Sequence, residues 1–144
     1  MVLRCASACY NVPMASTPTV YEQIGGAATI RRLVELFYAR VERDPLLRPM
    51  FPDDLGPGKE HQFLFLCQYF GGPDDYNRLR GHPRLRMRHA PFPIDQAARD
   101  AWLSHMLAAL DEAGIPEPAR TTMRQYFAQA ASAMINQHPL IYPS

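Results

Sequence analysis

Gly81-His82-Pro83-Arg84-Leu85-Arg86-Met87-Arg88-His89-Ala90-Pro91-Phe92-Pro93 is the stretch on which the reading of this chain turns. Pro83 can start a helix, because its missing N–H would be unpaired in a first turn anyway. Pro91 forbids a helix beyond Ala90 and pushes Ala90 towards extended geometry. What remains is a turn or two of helix ending at His89. An imidazole at the end of a short, proline-bounded turn has a fixed direction. That suits a metal ligand, which must be neutral, aimed, and anchored through its other ring nitrogen. Arg84, Arg86 and Arg88 alternate through the stretch, and their planar forks match carboxylates. The same residues also describe a solvated basic surface, so the rest of the chain has to decide.

Downstream, Asp95 is placed to cap a helix running to about Ala113, with Gly114 and Pro116 as stop signals. Leu103, Met106, Leu107 and Leu110 form its apolar stripe, and Trp102 lies beside it. Pro118 opens a last helix to about Gln137, faced by Met123, Tyr126, Phe127, Ala130, Met134 and Ile135 and ended by Pro139. Upstream, residues 73–93 show no sustained periodicity and read as a long loop, which in a small domain is often functional. Before it, Lys59 to Phe70 reads as a helix with the stripe Phe63, Leu66, Cys67 and Phe70. Gln62 is a surface residue or an inward donor there. Leu46 to Gly58 is a proline-rich connection anchored by Met50 and Phe51. Thr29 reads as the N-cap of a helix to about Arg43, with Ile30, Leu33, Val34, Phe37 and Val41 inward and Tyr38 at the edge of that face. Tyr21 to Gly26 is a short helical piece. No segment reads as a strand, so an all-α fold is expected.

A chain of 144 residues with 47% hydrophobic and 20% charged residues suits one self-sufficient domain. A net charge of +1 argues against bulk electrostatic binding of nucleic acid. Yet Arg78, Arg80, Arg84, Arg86 and Arg88 crowd one segment, and Lys59 is the sole lysine. No apolar run has the length of a membrane span. Residues 1–18 read as a leader, or as an artefact of start-site assignment with Met14 as the true start, and they lack the apolar run of a secretory signal. A domain over 19–138 and a tail over 139–144 complete the division. Cys67 reads as core. Cys5 and Cys9 read as free thiols rather than a pair or a metal site, in keeping with a reducing cytoplasm.

Four amphipathic helices, one aimed histidine and three amphipathic donors (Tyr38, Gln62, Trp102) invite one arrangement. The helices enclose a flat apolar cofactor, His89 binds its iron, the arginines meet its carboxylates, and the donors face a ligand on the other side. A zinc-type site is disfavoured, because no pair among His61, His82, His89, His105 and His138 has zinc spacing on a clear helix.

At this point the sequence resembles the group II truncated haemoglobins, the two-on-two helical globins. The resemblance runs from about Tyr21 to Gln137. It is carried by Gly25-Gly26, Phe37-Tyr38, Phe51 after the proline-rich turn, Gln-Tyr-Phe-Gly-Gly-Pro at 68–73, the run from Arg80 to Phe92, and Trp102. It implies a globin-like two-over-two helical sandwich with a short proximal helix in a long loop, and haem b as cofactor. It makes His89 rather than His82 the iron ligand, and Tyr38, Gln62 and Trp102 the distal donors. Gly58 falls at the gate position and Phe51 at the haem edge, where some relatives carry a tyrosine. Arg86 is the leading partner for a propionate, with His61 and Tyr69 behind it. Phe37, Met87, Phe92 and Met106 would line the cavity.

The resemblance further implies binding of O₂, CO and NO, with transport, NO oxidation or peroxide turnover as the work done. Turnover would need a separate reductase, because 144 residues leave no room for a flavin domain. A homodimer is open. The alternative from another class is a haem-free helical interaction module that uses the arginine-rich loop to bind an acidic partner.

Overall fold

The computed structural model describes residues 17–137, and within them the chain is all-helical. The helices are α1 (Val20–Gln23), α2 (Ala27–Glu42), α3 (Gly56–Tyr69), α4 (Asp75–Arg80), α5 (Leu85–His89), α6 (Gln96–Glu112) and α7 (Ala119–Ala133), with a 3₁₀ turn at Arg48–Met50. The expectations for Cys5, Cys9, His138 and the 139–144 tail lie outside the described residues.

The stripe expected on α2 is the centre of the fold. Ile30, Leu33, Val34, Phe37 and Val41 are all fully buried. One such stripe is enough to pack α2 on both α3 and α6, while α6 also packs on α7. Two helix pairs stacked in this way make the two-over-two sandwich. Met106, Leu110, Met123 and Phe127 fill the middle from the other layer. Each such side chain removed from water contributes about 1.5–3 kcal/mol.

Several boundaries differ from expectation, each for a local reason. Thr29 does not cap α2. Gly26 turns the chain at positive φ (73°) and α2 begins directly after it. Thr29 sits inside the helix and donates its hydroxyl to Ile24 O at 2.6 Å. Helix α3 starts at Gly56 rather than Lys59, because Pro57 is tolerated in a first turn, where its missing N–H costs nothing. Helix α7 stops at Ala133, four residues before Gln137. The expected cap of α6 is as read: Asp95 Oδ1 accepts from Ala98 N at 2.8 Å.

The stretch 73–93 is more ordered than its sequence suggests. It holds α4 and α5, and α4 is anchored from outside itself. The Gln68 side chain donates to Asn77 Oδ1 (3.0 Å) and accepts from Asn77 N (2.9 Å), while Tyr76 is buried beneath. Arg88 then fixes the link to α5. Its Nε donates to Pro83 O at 2.7 Å and its guanidinium donates to Arg80 O at 3.1 Å. The connection that follows α5 is held by Asn136, just past α7. Its side chain accepts from Ile94 N (2.9 Å) and donates to Phe92 O (2.8 Å) and His89 O (3.3 Å).

Candidate functional site

Packing α2, α3, α6 and α7 around these two short helices leaves a cavity of about 690 Å³. That is within the range of sites for sizeable organic ligands. Its wall is mostly apolar: Phe37, Leu47, Met50, Phe51, Phe65 and Phe127 are among the lining residues. Polar groups enter at a few points only, and they are the informative ones.

His89 is on the wall at the end of α5. Its Nδ1 lies 2.6 Å from Leu85 O, one helical turn back. A carbonyl can only accept, so Nδ1 carries the proton and Nε2 keeps a free lone pair. This is the tautomer a metal ligand needs, and the backbone bond fixes the ring's direction. His82 is exposed, and its Nδ1 accepts from Arg84 N at 3.1 Å.

Gln62 and Trp102 also line the cavity. Gln62 Oε1 is buried and has no hydrogen-bond partner among the described residues. An orphaned amide on a cavity wall costs stability unless something in the cavity pairs with it. Trp102 is held edge-on to Phe37, with ring centroids 5.2 Å apart. Tyr38 lies behind the wall, 5% exposed, with its hydroxyl against Gly58 of the lining. Burial pushes its phenol up to about 12, so the hydroxyl keeps its proton and remains a donor at neutral pH.

One part of the wall is positive. Arg80, Arg88 and His61 all line it. The His61 imidazole is held below its usual range, mainly by burial and further by the charges of Arg80 and Arg88. An anionic group entering here would relieve that repulsion.

The residues expected at the site therefore divide. Phe37, Phe51, Gly58, His61, Gln62, His89, Phe92 and Trp102 come together on one cavity. Met106 is fully buried in the core away from it, and Tyr69 is half exposed, stacked on the lining residue Tyr126 at 3.9 Å. Arg86 and Met87 line a second, open groove with Met134 and Asn136. Sequence reasoning set Arg84, Arg86 and Arg88 together against carboxylates and chose Arg86, and it passed over Arg80, Arg99 and Tyr126 as wall residues and Asn136 as a clamp. Helical phase supplied a signal for the arginines, since Arg86 and Arg88 lie two apart on a helix and cannot face the same way. For Asn136 the sequence carries no signal.

The cavity fits haem: one anchored imidazole with a free lone pair, an unpaired amide, and cations beside an apolar slot. Comparison with known proteins leads to the same place. The family model "Bacterial-like globin" matches residues 19–136. The group 2 truncated hemoglobin YjbI of Bacillus subtilis is 44% identical over 81% of this chain and 88% of its own length. Among solved structures, the hemoglobin of the thermophilic phototroph Chloroflexus aurantiacus is 70% identical over 84% of this chain and 100% of that one, with a TM-score of 0.83. The truncated oxygen-avid haemoglobin of Bacillus subtilis is 43% identical, covering 83% of this chain and 100% of that one at a TM-score of 0.79. The chain belongs to the bacterial-like globin family and is a truncated haemoglobin, an all-helical haem protein that binds oxygen.

Proposed function

We propose that the cavity holds haem b with His89 as the one protein ligand to its iron, and that Tyr38, Gln62 and Trp102 stabilise O₂, CO or NO on the opposite face. Haem supplies reversible gas binding and one-electron redox chemistry when bound. The observation that carries this reading is the His89 tautomer, fixed by the Leu85 carbonyl at 2.6 Å. Arg80, Arg88 and His61 are the groups best placed for the propionates, ahead of Arg86, which lies outside the cavity wall.

On the gas side, the buried phenol of Tyr38 offers its proton without risk of ionising. The Gln62 amide can turn either its N–H or its oxygen inward. Trp102 adds an N–H that can only donate. Donors held ready on a mostly apolar cavity wall act on a partly negative ligand with little reorganisation. Each such bond is worth about 1.5–3 kcal/mol when charge-assisted, or roughly tenfold to a hundredfold in affinity. Ligand held that firmly suits redox chemistry of O₂, NO or peroxide better than delivery. Turnover would draw electrons from a separate reductase.

The test is O₂ dissociation from the ferrous, haem-loaded protein by stopped flow. A slow rate is expected. A rate as fast as that of a site without donors would mean that these three side chains do not act on the ligand, and the redox reading would fall with them.

A further inference from the structure

Gly58 is a glycine that the backbone does not require. It lies in the first turn of α3 and is not among the residues at positive φ. A helix prefers almost any other residue there, alanine above all. What a glycine provides at this point is room. A Cβ built on Gly58 would lie 2.9 Å from the Tyr38 hydroxyl oxygen, 3.7 Å from Cζ and 3.9 Å from Cε1. The first distance is shorter than a carbon and an oxygen tolerate, and the others are ordinary contacts. The phenol oxygen of α2 thus rests directly on the backbone of α3.

That oxygen cannot simply step aside. The Tyr38 ring is pinned edge-on between Phe37, at 5.5 Å, and Phe51, at 5.8 Å. The residue is 5% exposed. A rigid ring on two torsions can move its hydroxyl only by swinging the whole phenol against those neighbours.

We propose that Gly58 is the positioning residue for the Tyr38 hydroxyl: α3 lacks a side chain there so that the phenol oxygen can sit against its backbone, directly behind the stretch of cavity wall that Gly58 forms. Position 58 then governs how long a ligand stays rather than how easily it enters. The consequence for ligand binding rests on the reading of Tyr38 as a donor, whereas the seat itself does not.

Four haem-loaded, full-length proteins test this: wild type, Gly58→Ala, Tyr38→Phe and the double variant. Their urea midpoints and their O₂ association and dissociation rates are compared. Alanine for glycine in a helix ordinarily strengthens folding, by up to about fivefold in the equilibrium constant. Gly58→Ala is expected to lower the midpoint in wild type and to raise it in the Tyr38→Phe background, where the clashing oxygen is gone. It is expected to speed O₂ dissociation about tenfold in wild type and to leave it unchanged in Tyr38→Phe. Equal shifts of the midpoint in both backgrounds would overturn the seat. So would slowed association with unchanged dissociation in both, the mark of a simple gate. If Tyr38→Phe alone leaves dissociation unchanged, the donor role fails, while the urea midpoints still decide the seat.

Discussion

Asn136→Ala is expected to destabilise the protein by about 2 kcal/mol, although Asn136 is exposed and outside every helix. The structure sets the size of the effect. The Ile94 N–H, on a buried residue, loses the Asn136 oxygen at 2.9 Å, which costs about 1–1.5 kcal/mol because water replaces it poorly. The bonds to Phe92 O (2.8 Å) and His89 O (3.3 Å) are solvent-accessible and add about 0.5 kcal/mol or less each. The main-chain bond from Asn136 N to Ile94 O survives in any variant. Urea unfolding followed by circular dichroism, at equal haem loading, reads the difference, and a melting temperature lowered by roughly 7 °C should accompany it. Asn136→Asp separates the contributions, since it keeps the acceptor for Ile94 and loses both donors, and about 1 kcal/mol should be lost. An Asn136→Ala protein within about 0.5 kcal/mol of wild type would show that the clamp does not hold the segment after α5.

Three other outcomes are expected. His89→Ala should lose haem or hold it weakly; retention of a normal five-coordinate ferrous absorption spectrum would remove His89 as the ligand. Trp102→Phe should speed O₂ dissociation tenfold or more in stopped flow, and an unchanged rate would take the indole out of the donor set. The Asp44 carboxyl is held below its ordinary 3.8, chiefly by the hydrogen bond from His105 Nε2 at 2.7 Å, so it stabilises the fold above that value and ceases to as the pH falls through the lowered one. Asp44→Asn should therefore lower the unfolding midpoint at neutral pH, and the gap to wild type should close in strong acid; a constant gap would refute the linkage.

Much of this molecule could be read from the chain because its signals are local. Pro83 and Pro91 bracket α5 and put His89 at its end, so a handful of adjacent residues decide the direction of one imidazole. The stripes of α2 and α6 are similarly self-contained. Helix α4 was not legible. It has six residues, one buried side chain, and its fixing bonds come from Gln68, on another helix. Asn136 was illegible for the same reason: its partners lie more than forty positions away, and an asparagine after a helix ordinarily means a loop. Among the arginines, composition marked the segment, but only the three-dimensional path showed that Arg80 and Arg88 line the cavity and Arg86 does not.

The chain holds one tryptophan, and that residue is part of the cavity wall. Its emission comes from a single known place, with no second indole to blur it. A strongly absorbing group that enters the cavity will accept its excitation energy at contact distance. The emptied protein should be fluorescent and the filled one nearly dark. Loading, loss and exchange of the prosthetic group can then be timed in the native sequence, without a label.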